Sequence, residues 1–314
     1  MKSAIRKILI GNATISEYST IMVPGEVQEK VWLEIAGTLT DISQDHWLLC
    51  IEPVIFGVWI PCSKTNSQPQ KQATYRIYFS DSANTGNIQK HAVAAGSLTF
   101  MESIEEQDGL LLLLKLESSS LYQINFLKAY ILFSRYYKKN GLTFSRFNAF
   151  VAAYSYPRRI RIVSFRQNDY YNIFPMDLLG DLTQPNRYVF GLRHTNVALA
   201  RILETGKLVV SEIPFGYKQL IYQLGKHHSS SVPSLESLPF TVIKSKLFGF
   251  PVPSWAASYK EITLLKTINL GSHMLLWGEP IARDELSKPV DPLFLIHFIH
   301  YLHQKRKGTG YRLV

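Results

Sequence analysis

"NIFPMDLLGD", Asn172 to Asp181, stands between two extended apolar runs, "YPRRIRIVSFRQNDYY" before it and "NRYVFGLRH" after it. Pro175, Gly180 and the acids Asp177 and Asp181 punctuate it as a loop, yet Ile173, Phe174, Met176 and Leu178 are too apolar for a loop in solvent. An apolar loop between strands packs against something. Whether that something is protein or ligand decides how the rest of the chain reads.

At 314 residues the chain has room for one large domain or two of ordinary size. Apolar content of 46% and aromatic content of 12% belong to a folded protein and exclude a disordered one. The two cysteines, Cys50 and Cys62, form no CxxC pair and no disulfide framework, so a reducing, cytoplasmic compartment is expected. The opening "MKSAIRKILIGNATIS" lacks the apolar core of a signal peptide. The stretches "WLLCIEPVIFGVWIP" and "PLFLIHFIHYLH" are too short or too interrupted to span a bilayer, and no membrane partner is expected. Net charge is +10, but Lys and Arg concentrate only in "YPRRIR" and "HQKRKGTGYR", so nucleic-acid binding is not expected. A moderately basic surface also suits a phosphate-bearing ligand.

Periodicity divides the chain near residue 145. In residues 1–145, "EKVWLEIAGTLTDIS" alternates at period two, "HWLLCIEPVIFGVWI" reads as buried strands broken at Pro53, and "ATYRIYFS" and "GLLLLLKLES" add further strands around the polar loop Ser63–Gln72. "SLYQINFLKAYILFSRYYKKNG" predicts a long helix capped by Ser120, with Leu121, Ile124, Leu127, Ile131 and Leu132 at helical spacing and Gly141 beyond its end. Residues 146–314 predict strands at Arg159–Phe165, Arg187–Leu192, Lys207–Ile213, Phe240–Phe250, Glu261–Asn269 and His273–Ile281. A short helix in "TNVALARILETGK" ends at Gly206, and a final helix is expected over Asp291–Lys305 with Pro292 at its first position. Many short strands with few helices give a mainly β fold, a barrel or sandwich with helical decoration and a β-rich N-terminal domain carrying one long helix. "HWLLCIEPVI" and "HMLLWGEPI" share H-x-L-L-x-x-E-P, which is either the trace of a duplication or a coincidence between two strands.

Two stretches carry chemistry. In "FGLRHTNVALARILETGK", a strand delivers Arg193, His194, Thr195 and Asn196 to the start of a helix. A guanidinium, a hydroxyl and first-turn amides together make an anion site; ordinary capping beside a surface arginine is the alternative. In "NLGSHMLLWGEPI", His273 heads an apolar strand, either as a hydrogen-bonded structural group or as a protonatable group facing a ligand. No GxGxxG follows a strand, and no P-loop, HExxH or GxSxG occurs. His297, His300 and His303 drift around their helix, so no metal site is expected.

Residues from about 150 to 285 resemble the flavin reductase-like, FMN-binding split-barrel family, which includes the flavoredoxins. "YPRRIRIVS" resembles its first barrel strand and "NIFPMDLLGD" the Asn-initiated loop beside the flavin. "LRHTNVALARILETGKLVVSEIP" resembles the phosphate turn, helix and next strand, "LG" at Leu224–Gly225 the turn toward the specificity segment, and "GSHMLLWGEP" a late Gly-Asp-His strand. The loop here has no Ser or Thr, and Ser272 replaces the acid before the histidine. The resemblance implies FMN, with NADH or NADPH as co-substrate, a hydride-transferring flavin reductase, and a homodimer with FMN near the subunit interface. It implies flavin contacts from Asn172, Ile173, Phe174, Pro175, Met176 and Asp177, a phosphate site at Arg193, His194, Thr195 and Asn196, and His273 near the reacting edge. A degenerate, non-catalytic split barrel used for interaction is the competing expectation, and so is a pseudo-dimeric monomer in which residues 1–145 replace the partner.

Overall fold

Every strand pair among the described residues is antiparallel; about half are hairpins of consecutive strands, and the rest join strands distant in the chain. The computed structural model describes residues 20–24, 27–62, 73–81, 88–138, 141–225, 235–288 and 291–308. The loop Ser63–Gln72 and the end of the basic C-terminal run lie outside the described residues.

Strand β1 (Thr20–Pro24) precedes β2 (Lys30–Ile35), β3 (Thr38–Asp41), β4 (His46–Ile51), β5 (Val54–Pro61) and β6 (Tyr75–Ser80). After the short α1 (Ile88–His91) come two long strands, β7 (Ala92–Glu106) and β8 (Gly109–Leu121), then α2 (Phe126–Tyr136) and α3 (Phe144–Ala153). The second half adds β9 (Arg158–Arg159), β10 (Arg161–Gln167), β11 (Tyr170–Met176), β12 (Leu179–Leu182), β13 (Arg187–Arg193), α4 (Leu199–Thr205) and β14 (Lys207–Glu212). It continues through α5 (Lys218–Gly225), a small ribbon of β15 (Val242–Lys244) and β16 (Pro251–Pro253), β17 (Ser258–Asn269), β18 (His273–Glu285), β19 (Leu293–His297) and α6 (Phe298–Arg306).

Two seven-stranded sheets result, ordered β3-β2-β6-β7-β8-β5-β4 and β11-β10-β14-β17-β18-β13-β12. Let β2 through β8 stand, in chain order, for β10 through β14, β17 and β18, and the first order becomes the second. The same topology therefore occurs twice. The shared H-x-L-L-x-x-E-P is not its trace, because it falls on β4 and on β18, whereas the counterpart of β4 is β12. A third sheet, β1-β19-β9, brings the first and last described strands together.

The sheets meet where β4 crosses β12, β13 and β18. Glycines permit the contact: a Cβ on Gly180 would lie 1.6 Å from Trp47 Nε1, and one on Gly191 would lie 1.8 Å from the Leu49 carbonyl oxygen. Trp47, Leu49, Trp59, Leu111 and Leu113 from one half and Leu182, Val189, Leu275 and Trp277 from the other form one buried cluster. Glu106 ties the rim, accepting from Arg187 Nε at 2.8 Å and Nη2 at 3.0 Å and from Trp277 Nε1 at 3.0 Å.

Several expectations need correction. Most of the expected loop Asn172–Asp181 is strand: its start belongs to β11, paired along its length with β10, so that Asn172 faces Phe165 and Met176 faces Arg161, and its end belongs to β12. Their apolarity is that of a strand covered on both faces: Phe174 and Met176 enter the main core, and Ile173 packs among Ile162, Ile221 and Leu224. Ser120 does not cap a helix; β8 holds it in register with Ala95, and α2 begins only where the Asn125 side chain accepts from Lys128 N at 2.8 Å. Leu127 and Ile131 face outward, while Ala129, Leu132 and Phe133 are buried. Helix α3, capped by Thr143, falls across the expected division near residue 145. Within Phe240–Phe250 only β15 is a strand, because the buried Glu261 carboxylate gathers the Leu247 and Phe248 amides into a turn. Asp291 and Pro292 do not open the last helix. β1 and β9 claim Leu293–His297 as a strand, and His297 caps α6 by accepting from Ile299 N at 3.2 Å.

Candidate functional site

A cavity of about 630 Å³ opens between the halves, walled by Ser43, His46 and Trp47 on one side and by Tyr156, Arg158, Asp177 and Gly180 on the other. The walls are sequence-local in origin. The turn before β4 presents Ser43, the head of β4 presents His46, and the short β9–β10 segment presents the arginines of "YPRRIR". The turn from β11 into β12 presents Asp177.

Its polar groups fall into two kinds. Arg161 is committed: buried, it bonds Glu212 and reaches Asp181 Oδ1 at 2.9 Å, beneath the Tyr188 ring. Burial alone would push the Asp181 carboxyl up, but Arg161 and Lys260 outweigh it and bring the pKa to about 2. Arg158 donates to the Ala153 carbonyl through Nε at 3.1 Å and Nη2 at 2.6 Å and lies over the Phe56 and Tyr154 rings. Burial lowers its pKa to about 10, so it stays a cation without a carboxylate hydrogen-bonded to it. The uncommitted atoms are Asp177 Oδ2 and His46 Nε2, both buried and without a hydrogen-bond partner. Burial raises the Asp177 pKa, opposed in part by the adjacent Tyr154 hydroxyl and by the charges of Arg158 and Arg193. Burial, and then Arg158, depresses His46 to about 3; its Nδ1 donates to the Ile42 carbonyl at 2.9 Å, which leaves Nε2 a bare acceptor. Unpaired buried polar atoms cost about 1–3 kcal/mol each unless something meets them, so a polar ligand edge has a reason to enter.

The expected phosphate turn is partly as read. Arg193, His194 and Thr195 are exposed, and Arg193 makes no ion pair among the described residues. The first-turn amides are less available than the sequence implied. Asn196 is buried, its side chain accepts from Ala198 N at 2.9 Å and its carbonyl from Leu199 N at 3.0 Å, and α4 itself opens with no side-chain cap. His194 Nε2 is engaged with Asn269 Oδ1 at 3.2 Å. Gly206 ends α4 in the left-handed region as expected.

His273 pairs with Arg193 across the β13–β18 ladder but is 1% exposed. Its Nδ1 lies 2.7 Å from Ser272 Oγ and 3.5 Å from Cys50 Sγ, inside the seam between halves. Burial, with Arg193 and His194 nearby, lowers its pKa to about 4, so the ring is neutral near neutral pH. Of the expected flavin-side residues, Asp177 lines the cavity, while Asn172, Ile173, Phe174 and Met176 are buried in the sheet and Pro175 is half-buried there. Sequence reasoning missed Arg158, His46 and Trp47. The run "YPRRIR" signalled the first, but nothing local places β4 against β12. The three histidines of the last helix go separate ways: His297 caps α6, His300 meets Glu29 and Gln123, and His303 meets Asp81.

No family model matches the chain, and no curated protein matches it. Among solved structures it is similar to an FMN-binding protein from Thermus thermophilus with bound 1-cyclohex-2-enone, at 23% identity and a TM-score of 0.38, over 42% of this chain and 72% of that one. It is also similar to the flavin reductase component of a bacterial two-component tryptophan halogenase, at 13% identity and a TM-score of 0.42, over 51% and 92%. A third likeness, to flavoredoxin from Methanosarcina acetivorans, has 16% identity and a TM-score of 0.37 over 41% and 69%.

Proposed function

We propose that the chain binds FMN at the seam between its two sheets and acts as a flavin reductase-like oxidoreductase, passing a hydride between NADH or NADPH and flavin. The observation that carries this reading is the cavity with Asp177 Oδ2 and His46 Nε2 buried and unpartnered beside it. Its volume falls in the range of about 300–1,000 Å³ common to cofactor pockets. Trp47, Tyr156 and Leu179 give apolar wall for a flat ring, and Asp177 Oδ2, buried and without a hydrogen-bond partner, suits the ring's polar edge. Arg193 lies on the exposed end of β13, outside the cavity lining, as the group proposed to meet the ligand's terminal phosphate. Flavin, when bound, supplies the hydride chemistry; the chain orients it and keeps water out. His273 enters as a positioning residue of the seam.

The N-terminal sheet packs through β4 on β12, β13 and β18, which supports the pseudo-dimeric monomer over the homodimer. We therefore read the unit as one chain in place of the expected homodimer, and light scattering at 35.9 kDa supports it, whereas twice that mass rejects it. One observation favours the competing, non-catalytic reading: Trp47 and Leu49 lie directly on Gly180 and Gly191, as packing would require if the seam were a closed joint. Colour decides between them. A yellow protein, or one that takes up added FMN and bleaches with NADH or NADPH, supports the enzyme; a colourless protein that ignores FMN sinks it.

A further inference from the structure

The face of α2 turned away from the molecule is apolar. Phe126 is 72% exposed, Leu127 67%, Tyr130 45% and Ile131 37%, and they stand one turn apart along a single stripe. The opposite side of the same helix is already satisfied, with Ala129, Leu132 and Phe133 buried against α3 and α6. The stripe is therefore not misplaced core. Its aromatics are ordered into a platform: Phe126 and Tyr130 stack at 6.2 Å, and Phe144 from α3 meets them edge-on at 5.5 and 5.4 Å. A contiguous apolar patch of this kind marks a contact surface.

Charge says what the contact is. No Asp or Glu occurs between Glu117 and Asp169, or after Asp291, so α2, α3 and α6 carry basic residues and no acidic ones. Lys128 and Arg306 flank the stripe and lie close enough for Arg306, after burial, to lower the Lys128 pKa. Arg146 and Lys307 are tied to Glu52 and Asp81, but among the described residues no ion pair holds Lys128, Arg135 or Arg306. We propose that this helical layer docks on the surface of a bilayer containing anionic phospholipid, with Phe126, Leu127, Tyr130 and Ile131 entering the headgroup region and Lys128 and Arg306 meeting phosphates. Cations beside an apolar helix face are the pattern of an interfacial helix. Leu127 and Ile131 offer no plane for a base to stack on, which favours lipid over single-stranded nucleic acid. No helix among the described residues is long and apolar enough to cross a membrane, and a surface contact needs none.

The test is cosedimentation of the full chain with vesicles of phosphatidylcholine alone or mixed with phosphatidylserine. The wild type should pellet with the mixed vesicles, remain soluble with phosphatidylcholine alone, and be released by added salt. Leu127→Ser and Ile131→Ser should each lower partitioning on the order of tenfold, and Arg306→Ala about fivefold, with far-ultraviolet circular dichroism unchanged. Arg306→Ala, at an exposed position, keeps the test valid if a serine variant misfolds. The proposal fails if mixed vesicles do not retain the protein, if the serine variants bind as well as wild type, or if a single-stranded oligonucleotide binds while vesicles do not. It also fails if Leu127→Ser converts a dimer to a monomer, since the stripe is then the face of a second copy.

Discussion

The two sheets share an order but not their decoration. Between β14 and β17 the second half inserts α5 and the β15–β16 ribbon, where the first passes from β6 to β7 with only α1 among its described residues. Equivalent ladder positions differ as well. Lys30 opens β2 opposite Ser80 and pairs with Asp41 at 3.3 Å, one-third exposed. Arg161 opens β10, buried, between Glu212 at the end of β14 and Asp181. The two sheets share one strand order but differ in what they carry: a plainer half that covers, and an elaborated half that holds the buried Arg161 and the Asp177 turn of the cavity wall. Topology is held by ladders and burial, which many sequences satisfy, so the same order tolerates both.

The largest expected effect breaks that difference at its most buried point. Arg161→Met removes the buried cation between Glu212 and Asp181, leaving them only the more exposed Arg159 and Lys260, and removing one member of a buried pair costs about 3–5 kcal/mol. Lys30→Met should cost at most about 1 kcal/mol, as exposed pairs do. Urea unfolding of both variants measures the gap; equal effects would remove the distinction. The acid limb gives the sign. A carboxyl depressed to about 2 contributes stability above its ordinary value of 3.8 that is lost as pH falls toward 2, so Arg161→Met should flatten that part of the stability curve.

Next in size is the seam. Trp277→Ala removes a fully buried ring from the shared cluster and should cost about 3–5 kcal/mol. Gly191→Ala drives a methyl into the Leu49 carbonyl and should cost about 1–3 kcal/mol or more. Gly216→Ala, which meets nothing within 4 Å, is the control. If Gly191→Ala unfolds like the control, the sheets are not packed across β13 as described.

How much of this was legible in the sequence follows from the same comparison. The buried runs of β13 and β14 and the Gly206 stop of α4 could be read directly, whereas the alternating stretch "EKVWLEIAGTLTDIS", read as one strand, is the hairpin of β2 and β3 turning at Ala36–Gly37. β7 could not, because "AVAAGSLTFMESIEE" is rich in small and acidic residues and its strand character comes from β6 and β8 on either side. β11 was hidden by Pro175 and Asn172, although Pro175 sits opposite Ile162 in the ladder. The repeated topology left no residue-level echo, since ladders constrain hydrophobic pattern and not identity. At the cavity, Asp177 was named through the resemblance of its loop, but His46 and Trp47 arrive from β4, and no local signal encodes a contact across halves.

His273 gives a smaller, pH-dependent test. Its folded pKa near 4 lies below the ordinary 6.5, so the unfolded chain takes the proton first and stability contributed near neutral pH is lost as pH falls from 6.5 toward 4. His273→Asn should remove that part of the pH dependence. In an FMN-loaded sample it should leave FMN affinity nearly unchanged, which separates a seam residue from a ligand contact. A large loss of FMN affinity with unchanged folding would return His273 to the site.

Arg193→Ala should barely alter stability, because an exposed guanidinium without an ion pair carries little packing. Its effect is confined to the ligand. A hydrogen bond to a charged group contributes about 1.5–3 kcal/mol, so FMN affinity should fall roughly tenfold to a hundredfold. Riboflavin, lacking the phosphate, should bind wild type and variant alike through the cavity walls. With the amides of Ala198 and Leu199 already bonded to Asn196, Arg193 and the Thr195 hydroxyl would carry most of the proposed phosphate contact, so Thr195→Val should give a smaller loss in the same direction. Titrating both ligands against the three proteins separates the groups. If Arg193→Ala weakens riboflavin as much as FMN, the arginine meets the ring and the phosphate lies elsewhere; if it weakens neither, the elaborated half does not bind flavin through this turn.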